Sequence, residues 1–565
     1  MIKRSLLSAA ACLFIVSCGS ENASEPQTYD LIIRNGMIYD GSGGAPEAGD
    51  LAIVGDRVVA RGDLSGAEAE KIIDADGHAV APGFINILSW STESLLQDGR
   101  GMSVIKQGVT LEVMGEGTSM GPLTDEMRDD LIRRQAEIQY DIPWTTLGQY
   151  LQHLEDRGVS PNVASFIGAA TVRIHEIGYD DRPATETELA AMQELVRQAM
   201  KEGALGVGSS LIYPPANFAS TEELTALTAA AAEMGGGYTT HMRSEGDRFL
   251  EGIDETLTIA RNADTWAQIY HFKPAGQSNW DKHGEGLAKL DAARAEGIEI
   301  TADVYTYTAG ATGLDVAFPP WSQEGGNDAW FARLEDPELR ARVIAEMRDP
   351  NAGYENLYLA AGSPENVLLI GFDNPALRPL TGKSLAEVAA MRGTSPEDTI
   401  VDLVLEDRSR VDTAYYLMSD ENVKANIRWP YMMFGSDGAA VASEPPFTER
   451  NPHPRSYGNF ARLLGKYVRE EQVISLEEAI QRLTRLSAET LRLEARGCID
   501  PGCYADVVVF DPETIGDRAT FADPHQYSVG VEHVVVNGVH TLAEGEHTGA
   551  FGGRFVKGPG FPGVR

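Results

Sequence analysis

Four side chains pair residue types that ligate a metal with a type that moves a proton: Glu116, His241, His271 and Asp437. Each closes a strand-like stretch, in the contexts Gly115-Glu116-Gly117, Thr240-His241-Met242-Arg243, Tyr270-His271-Phe272-Lys273 and Gly435-Ser436-Asp437-Gly438. Two imidazole nitrogens with a carboxylate oxygen suit zinc, and a nearby carboxylate suits general acid–base work. A lone histidine carries little weight in a chain that has 11 of them. What points to ligands is that His241 and His271 end successive strand-like runs. A bare Ser-Asp-Gly is otherwise a turn, and a glutamate between two glycines is otherwise a loop residue. Arg243 and Lys273 lie two positions past the histidines. There they either grip a substrate carboxylate or serve as surface charges. Tyr305 and Tyr307 either line a pocket and donate to an oxyanion or pack in the core.

Elements that would bring these residues together can be read from the chain's middle, where apolar strand-like runs alternate with alanine- and glutamate-rich helical stretches. The runs fall near residues 84–90, 109–115, 163–169, 205–209, 238–242, 268–272, 298–304 and 431–436. Eight βα units predict an α/β fold, a (β/α)8 TIM-type barrel, whose catalytic groups collect at the C-terminal ends of the strands. The barrel is expected over 83–490. Its last two strands are too far apart for one crossover, which predicts an inserted lid at about 313–430. Short strands with turn signals fill 29–82 and 491–565, so the two chain ends are expected to form one small β-sandwich.

The first residues read as an export signal. Lys3 and Arg4 precede an apolar run from Leu6 to Val16, too short to span a bilayer. Ile15-Val16-Ser17-Cys18 resembles a bacterial lipobox, so residues 1–17 are expected to be removed, Cys18 lipidated and 18–28 left as a polar tether. The expected location is therefore that of an exported lipoprotein, held to a membrane through its lipid anchor only. A formal net charge of −37 argues against nucleic acid as a partner, because phosphate binding needs a basic surface. Cys498 and Cys503, in an exported chain, form either a disulfide or two thiols.

The order of these segments resembles the D-aminoacylases, the N-acyl-D-amino-acid deacylases of the amidohydrolase superfamily. Besides the four site segments, the resemblance rests on Ala81-Pro82-Gly83-Phe84-Ile85-Asn86, Gln107-Gly108-Val109-Thr110, Leu211-Ile212-Tyr213-Pro214-Pro215, Asp303-Val304-Tyr305-Thr306-Tyr307 and His453-Pro454-Arg455. It implies a metal-dependent enzyme that hydrolyses a linear C–N bond other than a peptide bond, in an N-acyl-D-amino acid or related N-acyl compound. Asp437 would be its proton carrier. The family's first strand ends in His-x-His, where this chain has Leu88 and Trp90. The family's second strand offers a cysteine ligand, one place after Glu116, where this chain has no thiol. One zinc per chain, held by Glu116, His241 and His271, is therefore expected. Two alternatives stay open in the sequence: a cyclic amidase of dihydroorotase type, and a degenerate relative that binds without catalysing. The former usually carries a carboxylated lysine, which Gly208-Ser209-Ser210 does not supply.

The lipobox yields a direct expectation. Cys18→Ser removes the only thiol available for lipidation at that position, so the protein should move from the membrane fraction to the soluble one. Equal fractionation of variant and parent would show that the anchor does not exist.

Overall fold

The computed structural model describes residues 28–563; the expected leader and Cys18 lie outside the described residues. The barrel strands are β1 (Phe84–Asn86), β2 (Val109–Met114), β3 (Asn162–Ser165, continued as Ile167–Gly168), β4 (Gly206–Ser210), β5 (Gly237–His241), β6 (Ala267–Ile269), β7 (Ile300–Val304) and β8 (Met432–Phe434). All neighbouring pairs in this order are parallel from β1 to β8. Every residue of β2, β5 and β7 is buried, as expected of parallel strands covered on both faces. The ring closes between β1 and β8 just beyond their ends. Asp437 N–H donates to the Leu88 carbonyl at 2.9 Å, and Trp90 N–H donates to the Gly438 carbonyl at 3.1 Å. A side chain at Gly435 would start 2.6 Å from Leu88 Cβ, so this approach requires glycine.

The outer helices follow from caps and periodicity. Glu186–Glu202 begins with a capping box between Thr185 and Glu188 and ends at Gly203, whose φ is 110°. It buries Met192, Val196, Ala199 and Met200, a stripe at helical spacing. Between β7 and β8 the chain builds the insert. It contains a three-stranded antiparallel sheet in the order Gly310–Gly313, Asp412–Tyr415, Val367–Gly371, surrounded by short helices. No helix among the described residues is long and apolar enough to cross a membrane.

The two chain ends combine in one nine-stranded sheet. The joint is the antiparallel pairing of Ala79–Pro82 with Val507–Phe510. Its own apolar core includes Ile33, Leu51, Val58, Val507 and Val535. Cys498 and Cys503 are joined as a disulfide at its edge. A buried polar network fastens this sheet to the barrel. Asp506 is ion-paired with Arg496 and accepts from the Asn537 backbone at 2.8 Å and from Asn162 Nδ2 at 3.2 Å. Asn162 opens β3 and also donates to the Thr110 carbonyl of β2 at 2.9 Å.

Asp506→Ala would leave Arg496 charged, buried and without its partner. Such losses cost about 3 kcal/mol, so the denaturant midpoint should fall clearly while the folded variant keeps its barrel-mouth geometry. A midpoint equal to the parent's would show that the joint does not depend on this pair.

Candidate metal centre

Glu116 is aimed by its neighbours. Gly115 has φ +103°, and a Cβ there would lie 2.4 Å from the Phe166 carbonyl oxygen. Gly117 has φ +73°, and a Cβ there would lie 1.9 Å from Ser210 Oγ. Only glycine fits on either side, and the resulting sharp turn delivers the carboxylate to the barrel mouth. His241 is the last residue of β5, and His271 follows β6 by two positions. His271 and Asp437 hold left-handed φ values of 35° and 47°, uncommon for residues with a Cβ and frequent at functional sites. The His271 backbone N–H donates to Asp303 Oδ1 at 3.0 Å, which helps hold that conformation.

These turns bring the three expected ligands together. Glu116 Oε1 lies 3.3 Å from His241 Nδ1 and 3.1 Å from His271 Nε2. One ligand atom from each residue falls within 4.8 Å of the others, and all three residues are buried. Four ligands at zinc's usual bond lengths stand about 3.3 Å apart. His241 Nε2 is buried with no hydrogen-bond partner, so this histidine has a donor atom that the protein does not otherwise use. The residues fit a small divalent cation by donor type, spacing and burial.

A carboxylate that the sequence did not single out stands behind the histidines. Glu245 is 1% exposed, with Oε1 2.9 Å from His271 Nδ1 and Oε2 3.8 Å from His241 Nε2. With His271 Nε2 turned to the ligand cluster, Nδ1 is left to donate to Glu245, the arrangement that fixes a metal-binding imidazole. Lys273 Nζ sits 2.7 Å from Glu245 Oε2 and 3.0 Å from His271 Nδ1. Burial opposes the charge on Glu245, but Lys273 and then the histidines outweigh it and hold the carboxyl below its ordinary range.

Asp437 faces the same point from β8. Burial raises its pKa, Arg455 pulls the other way, and the charge of Glu116 adds to the rise. Arg455 Nη1 lies 2.9 Å from Asp437 Oδ2. The Trp90 indole N–H donates both to Glu116 Oε2 at 2.9 Å and to Asp437 Oδ1 at 3.0 Å. Lys273, Tyr305, Asp437 and Arg455 line a cavity of about 1830 Å³ over the centre. The Tyr305 ring centroid is 5.7 Å from Lys273 Nζ and 4.6 Å from the Arg455 guanidinium.

Two expected substrate-binding residues are placed elsewhere, and the expectation is corrected for both. Arg243 is consumed behind β5, where it donates to both Glu255 oxygens and to the Asn217 and Ala219 carbonyls, each at 2.9 Å. Its donors are committed to tying helix Phe249–Ala263 to the loop after β4, and it is absent from the cavity wall. Tyr307 turns away from the cavity, with its hydroxyl 3.2 Å from Asp517 Oδ2 and its ring under Arg462. Three residues with direct contact to the centre were not expected there: Glu245, Trp90 and Arg455. The His453-Pro454-Arg455 segment was the available signal for the last. His453 itself is buried and held neutral, with its pKa well below the usual value through burial and the charge of Arg455.

Comparison with known proteins matches this arrangement to one family. The amidohydrolase family model covers residues 71–541. A D-aminoacylase of Alcaligenes xylosoxydans xylosoxydans is 33% identical over 537 residues, spanning 94% of this chain and 98% of that protein. An N-acyl-D-glutamate deacylase of Bordetella bronchiseptica, solved with zinc and a phosphonate inhibitor, superposes with a TM-score of 0.76 at 29% identity, over 94% of this chain and all of that one. A solved D-aminoacylase with a binuclear metal centre, described as activated by one metal and attenuated by the second, gives 0.77 at 32% identity, again over 94% of this chain and all of that one. The chain belongs to the amidohydrolase family, on the branch that contains the D-aminoacylases.

Proposed function

We propose that this protein hydrolyses the amide bond of N-acyl-D-amino acids, using a single zinc ion held by Glu116, His241 and His271. The observation that carries this is the convergence of one carboxylate oxygen and two imidazole nitrogens at the barrel mouth, with Asp437 joined to the same point through Trp90. The relatives that match along most of the chain and carry an assigned activity are a D-aminoacylase and the N-acyl-D-aspartate and N-acyl-D-glutamate deacylases, at 33%, 32% and 31% identity. Bound zinc would supply Lewis acidity toward a water molecule and the scissile carbonyl.

The chain's own residues divide the remaining work. Asp437, with Arg455 beside Oδ2 and the Trp90 indole on Oδ1, is the carboxylate that takes a proton from the attacking water and returns it to the leaving amine. The products are the free carboxylic acid and the amino acid. Arg455 and Lys273 put two positive charges beside Tyr305, on the wall where a substrate carboxylate would rest. The buried Arg455 Nε has no hydrogen-bond partner and is available to such a carboxylate. Glu245 orients His271. The site would work outside the cytoplasm, from a lipid anchor at Cys18. The Cys498–Cys503 disulfide suits an oxidising compartment of that kind.

A screen of the purified protein against N-acyl D- and L-amino acids, with and without chelator, tests the activity. Chelator-sensitive release of the free D-amino acid is the expected result; no turnover of any D-substrate by zinc-loaded protein would overturn it. The division of labour predicts distinct variants. His241→Ala and His271→Ala should lose bound zinc. Asp437→Asn should keep zinc but lose about a hundredfold or more in kcat. Glu245→Gln, which keeps the shape and removes the charge, should weaken zinc binding about 10- to 100-fold. Zinc titration of the four preparations checks these roles, and full zinc affinity in the Glu245 variant would remove Glu245 from the centre.

A further inference from the structure

Two buried carboxylates from different strand ends point one oxygen each at a single atom of a third residue. Glu116 Oε2 and Asp437 Oδ1 lie 2.9 and 3.0 Å from Trp90 Nε1. Oxygens of like charge that converge in this way ordinarily hold a cation or share a proton. Here the point is filled by a neutral N–H. Indole nitrogen is a donor only and cannot ligate a metal. Leu88, two residues before it, is buried and offers no ligand atom.

The indole is 39% exposed, and it is held in that seat by its two hydrogen bonds to the carboxylates and by a fixed backbone. The Trp90 backbone is bonded to the Gly438 carbonyl, Ser89 pairs with Gly438, and Asp437 N–H is bonded to the Leu88 carbonyl. Trp90 and Asp437 are thus fixed by the same closure of the barrel and keep a constant relation. The charge balance agrees. Asp437 already faces Arg455 at 2.9 Å, and Glu116 faces the two histidines that would share a metal with it. Nothing at this point requires a second positive charge.

We infer that Trp90 restricts this centre to one metal, because its indole N–H occupies the seat between Glu116 and Asp437 that a second cation would need. This rests on the single-zinc function proposed above. The same N–H makes Trp90 a positioning residue, since it turns Asp437 Oδ1 toward the point where Glu116 meets the histidines. Replacing the indole by imidazole opens the seat and adds a nitrogen that can ligate.

The test uses the full chain as the parent, Trp90→His and Trp90→Ala. Each is stripped with chelator, reloaded with cobalt(II) or zinc in roughly tenfold excess, freed of unbound ion and analysed for metal per chain. The parent should retain about one ion, and Trp90→His about two, with the second cobalt adding its own visible absorption bands. Trp90→Ala, whose opened seat offers the two carboxylates alone, gives a second count should the histidine variant fail to fold. A parent holding two ions, or both folded variants remaining at one with an unchanged cobalt spectrum, overturns the inference and leaves the zinc site itself standing. A parent that takes up no metal at all defeats instead the function on which the inference rests.

Discussion

A carboxylate buried at a barrel mouth has to be neutralised, and the neutralisation of Glu116 organises the rest of the centre. Its Oε1 has only His241 and His271 to face, at 3.3 and 3.1 Å. Of the two imidazoles drawn to this oxygen, His271 is oriented from behind by Glu245. That second carboxylate is buried as well and carries its charge because Lys273 lies 2.7 Å away. Lys273 and Glu245 thus form a charge pair behind His271, and Glu116 stands in front of both imidazoles. A cation among the ligands would be held by neutral imidazoles and would itself neutralise Glu116. Removing any one member would leave its neighbours with uncompensated charge in a region of low dielectric.

Much of the fold was legible because parallel strands buried on both faces leave continuous apolar runs, as in Val109–Met114 and Ile300–Val304. The strand Gly310–Gly313 was not legible. Gly-Ala-Thr-Gly has no apolar pattern, and the segment is a strand only because it pairs with Asp412–Tyr415. The insert therefore starts with a strand that the sequence does not announce. The termini were readable as strands from their turn signals, but which strand of one end would meet the other was not; that joint is Ala79–Pro82 against Val507–Phe510.

At the site, legibility followed the strand ends. His241 closes β5, so its position could be inferred from the fold alone. Two residues on, the chain has left the strand, and the direction of Arg243 is decided by Glu255 on the helix that follows, a pairing that sequence spacing alone does not fix. Glu245 is the converse case. Four residues past His241 it looks like loop polarity, and only the path of the loop returns it to His271. Trp90 was visible as a loss, a residue unable to ligate where the family has a ligand. Its gain, an N–H shared by two carboxylates, depends on the closure between β1 and β8 and has no counterpart in local sequence.

The insert belongs to this same electrostatic arrangement. Glu355, from the insert, accepts from Ser244 Oγ at 2.7 Å and from the Glu245 backbone N–H at 3.1 Å. Burial pushes its carboxyl up to about 7, which lessens the like-charge contact with Glu245. On the other side of the mouth, Arg450 after β8 bonds Glu137 after β2 at 2.9 Å and Asp412 of the insert at 2.7 Å. The insert is thus fastened both to the loop that carries Glu245 and to the loops after β2 and β8. A change in its seating would be felt at His271 through two bonded steps, from Glu355 to the Glu245 backbone and from the Glu245 carboxylate to the imidazole. The wall of the cavity and the orientation of a ligand are in this way one mechanical unit.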